Sequence, residues 1–233
     1  MAKRPIFVPN ADKFPFVREE IIEFQWYAGL AKVQAQKSIA SLHESAAKKG
    51  ISPILEISSK SHDSLGISLS AFNLTLEFEG NQPMSVECAY QGSKVFEKGG
   101  PYTDLYYASS REAKTDERLK NSGNIIAFSF FGQEFSSQPT TAFYDWLYIN
   151  ALWQNRDLSK KIFGFKGFSD IAFNPSKSIN CQAHAAALFI SLHKSEKLES
   201  VIENVECYMN LITNNKLLSS CKEQAAKQLE LPF

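Results

Sequence analysis

The stretch Ala142–Trp153, AFYDWLYINALW, decides the fold class. Its apolar residues cover nearly every side of a helical wheel, the pattern of a helix buried all round rather than one lying on a surface. Such a helix needs neighbours on every side, so it predicts the centre of a sizeable core. Segments with helical spacing flank it: Ser110–Leu119, Leu158–Phe163, Ile179–His193, Leu198–Ile212 and Leu217–Leu229, with Thr140–Trp153 as the central one. In the C-terminal part, Leu198, Val201, Ile202, Val205, Tyr208 and Met209 form a stripe at i, i+3, i+4 spacing, which predicts an outer layer or a partner-binding helix.

The first third mixes signals. Ile21–Tyr27 and Ile54–Ser58 read as strands, and Leu74–Phe78 alternates with period two before the break at Gly80-Asn81. Lys32–Lys49 reads as an amphipathic helix with Val33, Ile39, Leu42 and Ala46 inward. Pro83 precedes a helix expected from about Ser85. With no repeats and no linker-like stretch, the expectation is one domain over 1–233: α+β, predominantly α-helical, with a few short N-terminal strands. Within it, 1–84 is the mixed part, 85–195 the helical motif-bearing core and 196–233 a C-terminal helical extension.

Hydrophobic residues make up 44% and charged residues 21%, too apolar for intrinsic disorder. Lys and Arg balance Asp and Glu at 25 each, so net charge gives no sign of the basic footprint of a sequence-reading DNA-binding protein. Met1–Asn10 lacks the apolar stretch of a secretory signal, and there is no run of 18 apolar residues, so a soluble cytoplasmic protein with no membrane partner is expected. Cys88, Cys181, Cys207 and Cys221 form no C-x-x-C pair and read as buried thiols; the four histidines make no ligand pattern, so neither a metal nor another cofactor is expected.

The segment Ser85–Glu97, SVECAYQGSKVFE, carries the chemistry. Glu87, Gln91 and Lys94 fall at i, i+4 and i+7, one face of a helix, so that a carboxylate, an amide and an ammonium point the same way. A carboxylate beside a lysine suits acid/base or nucleophilic work at a glycosidic carbon; an ordinary solvated ion pair has the same spacing. Arg111 and Lys114, three apart, could hold a diphosphate, and Lys60 lies in a polar loop with Ser58. Phe72, Asn73, Tyr144 and Trp146 offer stacking and amide contacts to a base, with core packing the ordinary alternative for the last two. Asp145 and Asp170 sit in apolar runs, where a carboxylate needs a partner or a function.

Glu87, Gln91 and Lys94-Val95-Phe96 resemble the E-H-x-x-Q-x-x-K-F signature of the NADAR, or YbiA-like, family, with Cys88 in place of the histidine. Ala113-Lys114 is similar to that family's "eAk" element, Ser70-Ala71-Phe72-Asn73 to its S-N-F element, and Asp170 falls near the acid of its "lvE" element. LEISSKS at Leu55–Ser61, SVECAYQGSKVFEKGGPYTDLY at Ser85–Tyr106, SSREAK at Ser109–Lys114, TAFYDWLY at Thr141–Tyr148 and NPSKSINCQAHAAAL at Asn174–Leu188 look like the NADAR antitoxins, of DarG type, encoded beside DarT-like DNA ADP-ribosyltransferases.

The resemblance implies an N-glycosidase that removes ADP-ribose from the guanine amino group in DNA, with a DarT-like toxin and ADP-ribosylated DNA as partners and ADP-ribose as product. It implies Glu87, Lys94 and Asp170 as catalytic residues, Lys94 acting as nucleophile or as an electrostatic element. ADP-ribose contacts are expected from Ser58, Lys60, Phe72, Asn73, Gln91, Arg111, Lys114, Trp146 and Asn180. The alternatives are an N-glycosidase of small riboflavin-pathway intermediates and a non-enzymatic antitoxin that binds its toxin through the striped C-terminal helix.

Overall fold

In a computed structural model, residues 1–78, 80–175 and 180–215 are described. The helix expected at Leu217–Leu229, the residue Cys221 and the first residue of the helix expected at Ile179 lie outside them.

The chain opens with two antiparallel strands, β1 (Ala2–Pro9) and β2 (Val17–Phe24), then α1 (Lys32–Ala47), β3 (Ile54–Glu56) and the short α2 (Ser64–Ser68). A two-stranded ladder, β4 (Thr75–Leu76) with β5 (Met84–Ser85), leads into α3 (Val86–Gly92) and β6 (Lys94–Phe96). A 3-10 turn at Thr103–Tyr107, α4 (Ser110–Thr115) and α5 (Arg118–Asn121) precede a hairpin of β7 (Ile125–Phe130) and β8 (Gln133–Ser136). Then come α6 (Ala142–Gln154), α7 (Arg156–Ile162), β9 (Gly167–Ser169), α8 (Gln182–Lys194), α9 (Leu198–Glu203) and α10 (Val205–Asn214).

The α+β class holds, and α6 is the central helix: Ala142 to Ile149 without interruption, and Ala151 and Leu152, are buried. It packs on α8, α3 and α10, and its Phe143 and Trp146 join an aromatic cluster with Phe128, Phe130 and Phe135 from the hairpin. Side chains of this size at near-complete burial each contribute roughly 1.5–3 kcal/mol by removal from water.

Strands are more widely spread than expected. The main sheet runs β2-β1-β9-β3, so an element from the last third completes the N-terminal sheet, and β6-β7-β8 form a second sheet in the middle of the chain. In α1 the buried positions are Ser38, Ile39, Leu42 and Ala46, whereas Val33, expected inward, is exposed in the first turn, before the helix reaches β2. The helix expected over Leu198–Ile212 is broken at Asn204, whose side chain accepts from the N–H groups of Glu206 and Cys207 and so caps α10. Leu198, Val201 and Tyr208 of its stripe are buried, and Ile202, Val205 and Met209 pack against the same core, so the stripe is an outer layer of this fold. Cys88 and Cys181 are buried free thiols, while Cys207 is disulfide-bonded, contrary to the expected thiol.

Among the described residues no helix is long and apolar enough to cross a membrane, and no group of three or more His, Cys, Asp or Glu is arranged to hold a metal ion.

Candidate active site

The parallel pair β3 and β9 ends beside the start of α8, and the face of α3 carrying Glu87 and Gln91 looks into the space between them. The result is a cavity of about 570 Å3, within the range of nucleotide-sized ligand sites.

α3 begins where Ser85 accepts a hydrogen bond from the Cys88 N–H. It ends at Gly92, where a Cβ would lie 2.5 Å from the Tyr106 ring. Lys94 is therefore the first residue of β6, opposite Phe128, and not a third position on the helix as its spacing suggested. Its backbone is held from behind by Gly100, at a φ of 84° that favours glycine and with room for no Cβ, since one would approach the Lys94 carbonyl oxygen to 2.3 Å.

The three polar side chains nonetheless form one chain. Lys94 Nζ donates to Gln91 Oε1 at 2.6 Å, and Gln91 Nε2 donates to Glu87 Oε1 at 2.8 Å. Glu87 and Gln91 are buried, and Lys114 Nζ stands 3.6 Å from Glu87 Oε1 at the cavity rim. The Lys94 ammonium also sits 4.5 Å from the centre of the Tyr90 ring. Burial pushes the Lys94 pKa down to about 8; Glu87 pulls it up and Lys114 pushes it further down.

Across the cavity, Asp170 Oδ1 accepts from the N–H groups of Ala172 and Phe173, and its Oδ2 accepts from Gln182 Nε2 at 3.1 Å. Burial and the neighbouring Glu56 nevertheless push Asp170 up to about 7. Glu56, itself raised by burial, accepts from Ser58 Oγ, Ser169 Oγ and the Ile171 N–H. Gln182 ties the floor together: its Oε1 accepts from Ala71 N–H at 2.7 Å and its Nε2 also donates to the Ile57 carbonyl at 2.6 Å. Asn180 Nδ2 donates to the Tyr90 hydroxyl at 2.6 Å, and burial raises the Tyr90 pKa.

Of the residues singled out in the sequence, Glu87, Gln91, Lys94, Lys114, Asp170, Ser58, Phe72, Asn180 and the buried Tyr144 line this cavity. Lys60, Asn73, Arg111 and Trp146 do not. Asn73 donates through Nδ2 to the Ile67 carbonyl and Ser70 Oγ, which fixes the loop carrying Phe72. Arg111 is exposed on α4, and Lys60 is half-buried, its N–H donating to Ser58 Oγ. Trp146 is 3% exposed and spent on core packing against Phe78, Phe130 and Phe135. The two aspartates part company: Asp145 is buried at 3.3 Å from His184 Nδ1, an ion-pair partner, whereas Asp170 faces the cavity. Burial would lower the His184 pKa, but the charge and hydrogen bond of Asp145 outweigh it and raise it.

Tyr90, Gln182 and Glu56 were not picked out in the sequence, whereas Ser70, which also lines the cavity, was named there as part of the S-N-F-like element. Glu56 had a visible signal, an acid inside the apolar strand pattern ILEIS; Tyr90 and Gln182 had none, because their partners come from distant segments.

A family model described as the DarT1-associated NADAR antitoxin matches residues 2–222. The chain belongs to this family. As a member of the NADAR antitoxins it is an antitoxin with a DarT-like toxin as its partner. No curated protein matches the chain.

Proposed function

We propose that this NADAR antitoxin is an N-glycosidase that releases ADP-ribose from the guanine amino group of DNA modified by its toxin. The observation that carries the reading is the Lys94–Gln91–Glu87 chain facing Asp170 across a nucleotide-sized cavity. Gln91 separates the carboxylate from the lysine, so Lys94 is not locked in a direct ion pair. With a pKa of about 8, roughly one molecule in ten carries the neutral amine at pH 7.

In the proposed reaction Lys94 Nζ bonds to the anomeric carbon as the bond from that carbon to the guanine amino nitrogen breaks. Asp170, protonated, gives its proton to the departing nitrogen, and Glu87 takes the proton that Lys94 sheds. Water then adds to the anomeric carbon and gives a proton to the Asp170 carboxylate, Glu87 returns its proton to the departing Lys94 amine, and ADP-ribose is free with both carboxyl groups restored. Two carboxyl groups about the scissile bond are the common equipment of glycoside hydrolysis. Lys114 meets a phosphate, Asn180 and Ser58 the ribose hydroxyls, and Phe72 and Tyr90 an aromatic face.

This scheme needs Asp170 protonated and Lys94 neutral at once. The rate on a guanine-ADP-ribosylated oligonucleotide should therefore rise to a plateau between about pH 7 and 8 and fall above it. A pH–rate profile of kcat checks this; a rate that keeps rising past pH 9 contradicts the use of a protonated Asp170. The non-enzymatic alternative loses its proposed surface, because the C-terminal stripe is packed on the core.

A further inference from the structure

A second hollow of about 500 Å3 lies beside the cavity, and Phe72 lines both. On one side of this wall Ala71 faces the cavity; on the other Asn73 faces the groove. The groove is bordered by Pro83, Cys88, Tyr107, Ser109 and Ser110. Successive residues of α3 thus divide between the two, Glu87 to the cavity and Cys88, where the family signature has histidine, to the groove.

Tyr107 is 61% exposed and Phe72 37%, large aromatic faces left open to solvent where a fold would ordinarily bury them. Beside them α4 presents Arg111, exposed and next to Ser110, and one turn further Lys114, whose Nζ lies 5.0 Å from the centre of the Phe72 ring. Glu112, on the same helix, accepts from the N–H of Ser109, which itself borders the groove. Open aromatic faces alongside cations, continuous with a cavity sized for one nucleotide, are what an unpaired strand requires: bases stack on the rings and phosphates meet the cations.

We propose that this groove holds the nucleotide adjacent to the modified guanine, its base stacked on Tyr107, the strand crossing between groove and cavity over Phe72 with Arg111 against its phosphate. The assignment rests on the hydrolase reading above and adds to it a preference for single-stranded nucleic acid over a free modified nucleoside.

The test compares wild type, Tyr107→Ala and Tyr107→Phe on two substrates: a single-stranded oligonucleotide of about ten nucleotides with one ADP-ribosylated guanine, and ADP-ribosyl-guanosine. Affinity for the unmodified oligonucleotide is measured on the same preparations by fluorescence anisotropy. Tyr107→Ala should lower kcat/KM on the oligonucleotide, and the affinity for it, by about tenfold, leave the nucleoside unchanged, and be rescued by phenylalanine. Equal losses on both substrates, or none on either, overturn the proposal. If wild type hydrolyses neither substrate, the hydrolase reading fails, and the anisotropy alone decides the groove: a tenfold loss in Tyr107→Ala supports it, unchanged affinity overturns it.

Discussion

Lys94→Ala should reduce turnover of ADP-ribosylated guanine by about a thousandfold, within the range expected for removal of a group that acts at the reacting centre. The side chain's surroundings give the reason. Its ammonium is desolvated enough to bring the pKa to about 8, and among the described residues its hydrogen-bond partner is a neutral amide. Those are the conditions in which a lysine gives up its proton readily and offers a lone pair. Lys94→Arg separates the two roles open to this residue, since a guanidinium keeps the charge and never offers a neutral amine. Loss in both variants, with unchanged melting temperature, identifies the amine as the acting group; recovery in the arginine variant assigns Lys94 a purely electrostatic part. A rate near wild type in the alanine variant removes Lys94 from the chemistry.

Glu87→Gln should cost at least about a hundredfold in kcat while leaving the fold intact. The substitution is nearly isosteric, and the new amide oxygen can still accept from Gln91 Nε2, so the chain to Lys94 survives. What disappears is the proton acceptor and a negative charge. Because that charge holds the Lys94 pKa up, its loss should also move the upper break of the residual pH–rate profile below about 8. A rate loss without that movement leaves Glu87 acting independently of Lys94, and a near-normal rate takes it out of the mechanism.

The parts of this fold that could be read in the sequence are those whose cause is local. α6 was legible because a dodecamer apolar on nearly every side has no surface to spare, and the start of α3 because Pro83 precedes it, with Ser85 as its N-cap in the structure. The end of α3 was not: Gly92 stops the helix through the approach of the Tyr106 ring, a contact between segments. Lys94 was therefore placed on a helix it does not join, yet the turn into β6 still returns its ammonium to Gln91. β1 was hidden by Pro5 and Pro9, which suit a central strand only because β1 meets β9 at Phe7 alone. The β7–β8 hairpin was hidden by a turn at Phe131-Gly132, both at positive φ, where a bulky aromatic is an uncommon occupant of the first position.

The site divides along the same line. The Glu87, Gln91 and Lys94 cluster was visible as spacing. As isolated acids in apolar runs Asp170 and Asp145 looked alike, and the resemblance alone set Asp170 first; the packing of α8 gives Asp145 a histidine and Asp170 a place in the cavity. Trp146 carried the composition of a stacking residue and the neighbours of a core one, and the hairpin aromatics that claim it come from a segment with no helical signal.

The central claim is that this antitoxin cleaves the bond between ADP-ribose and guanine. It is tested most directly by incubating the protein with two oligonucleotides identical except that one carries ADP-ribose on guanine and the other on thymine, followed by mass analysis of strand and small-molecule products. The account predicts that the guanine strand returns to its unmodified mass with free ADP-ribose released, while the thymine adduct persists, since a site built around the guanine edge leaves polar groups unpaired when thymine is presented. Equal release from both strands contradicts the guanine reading, and a guanine adduct that keeps its full mass contradicts the claim itself.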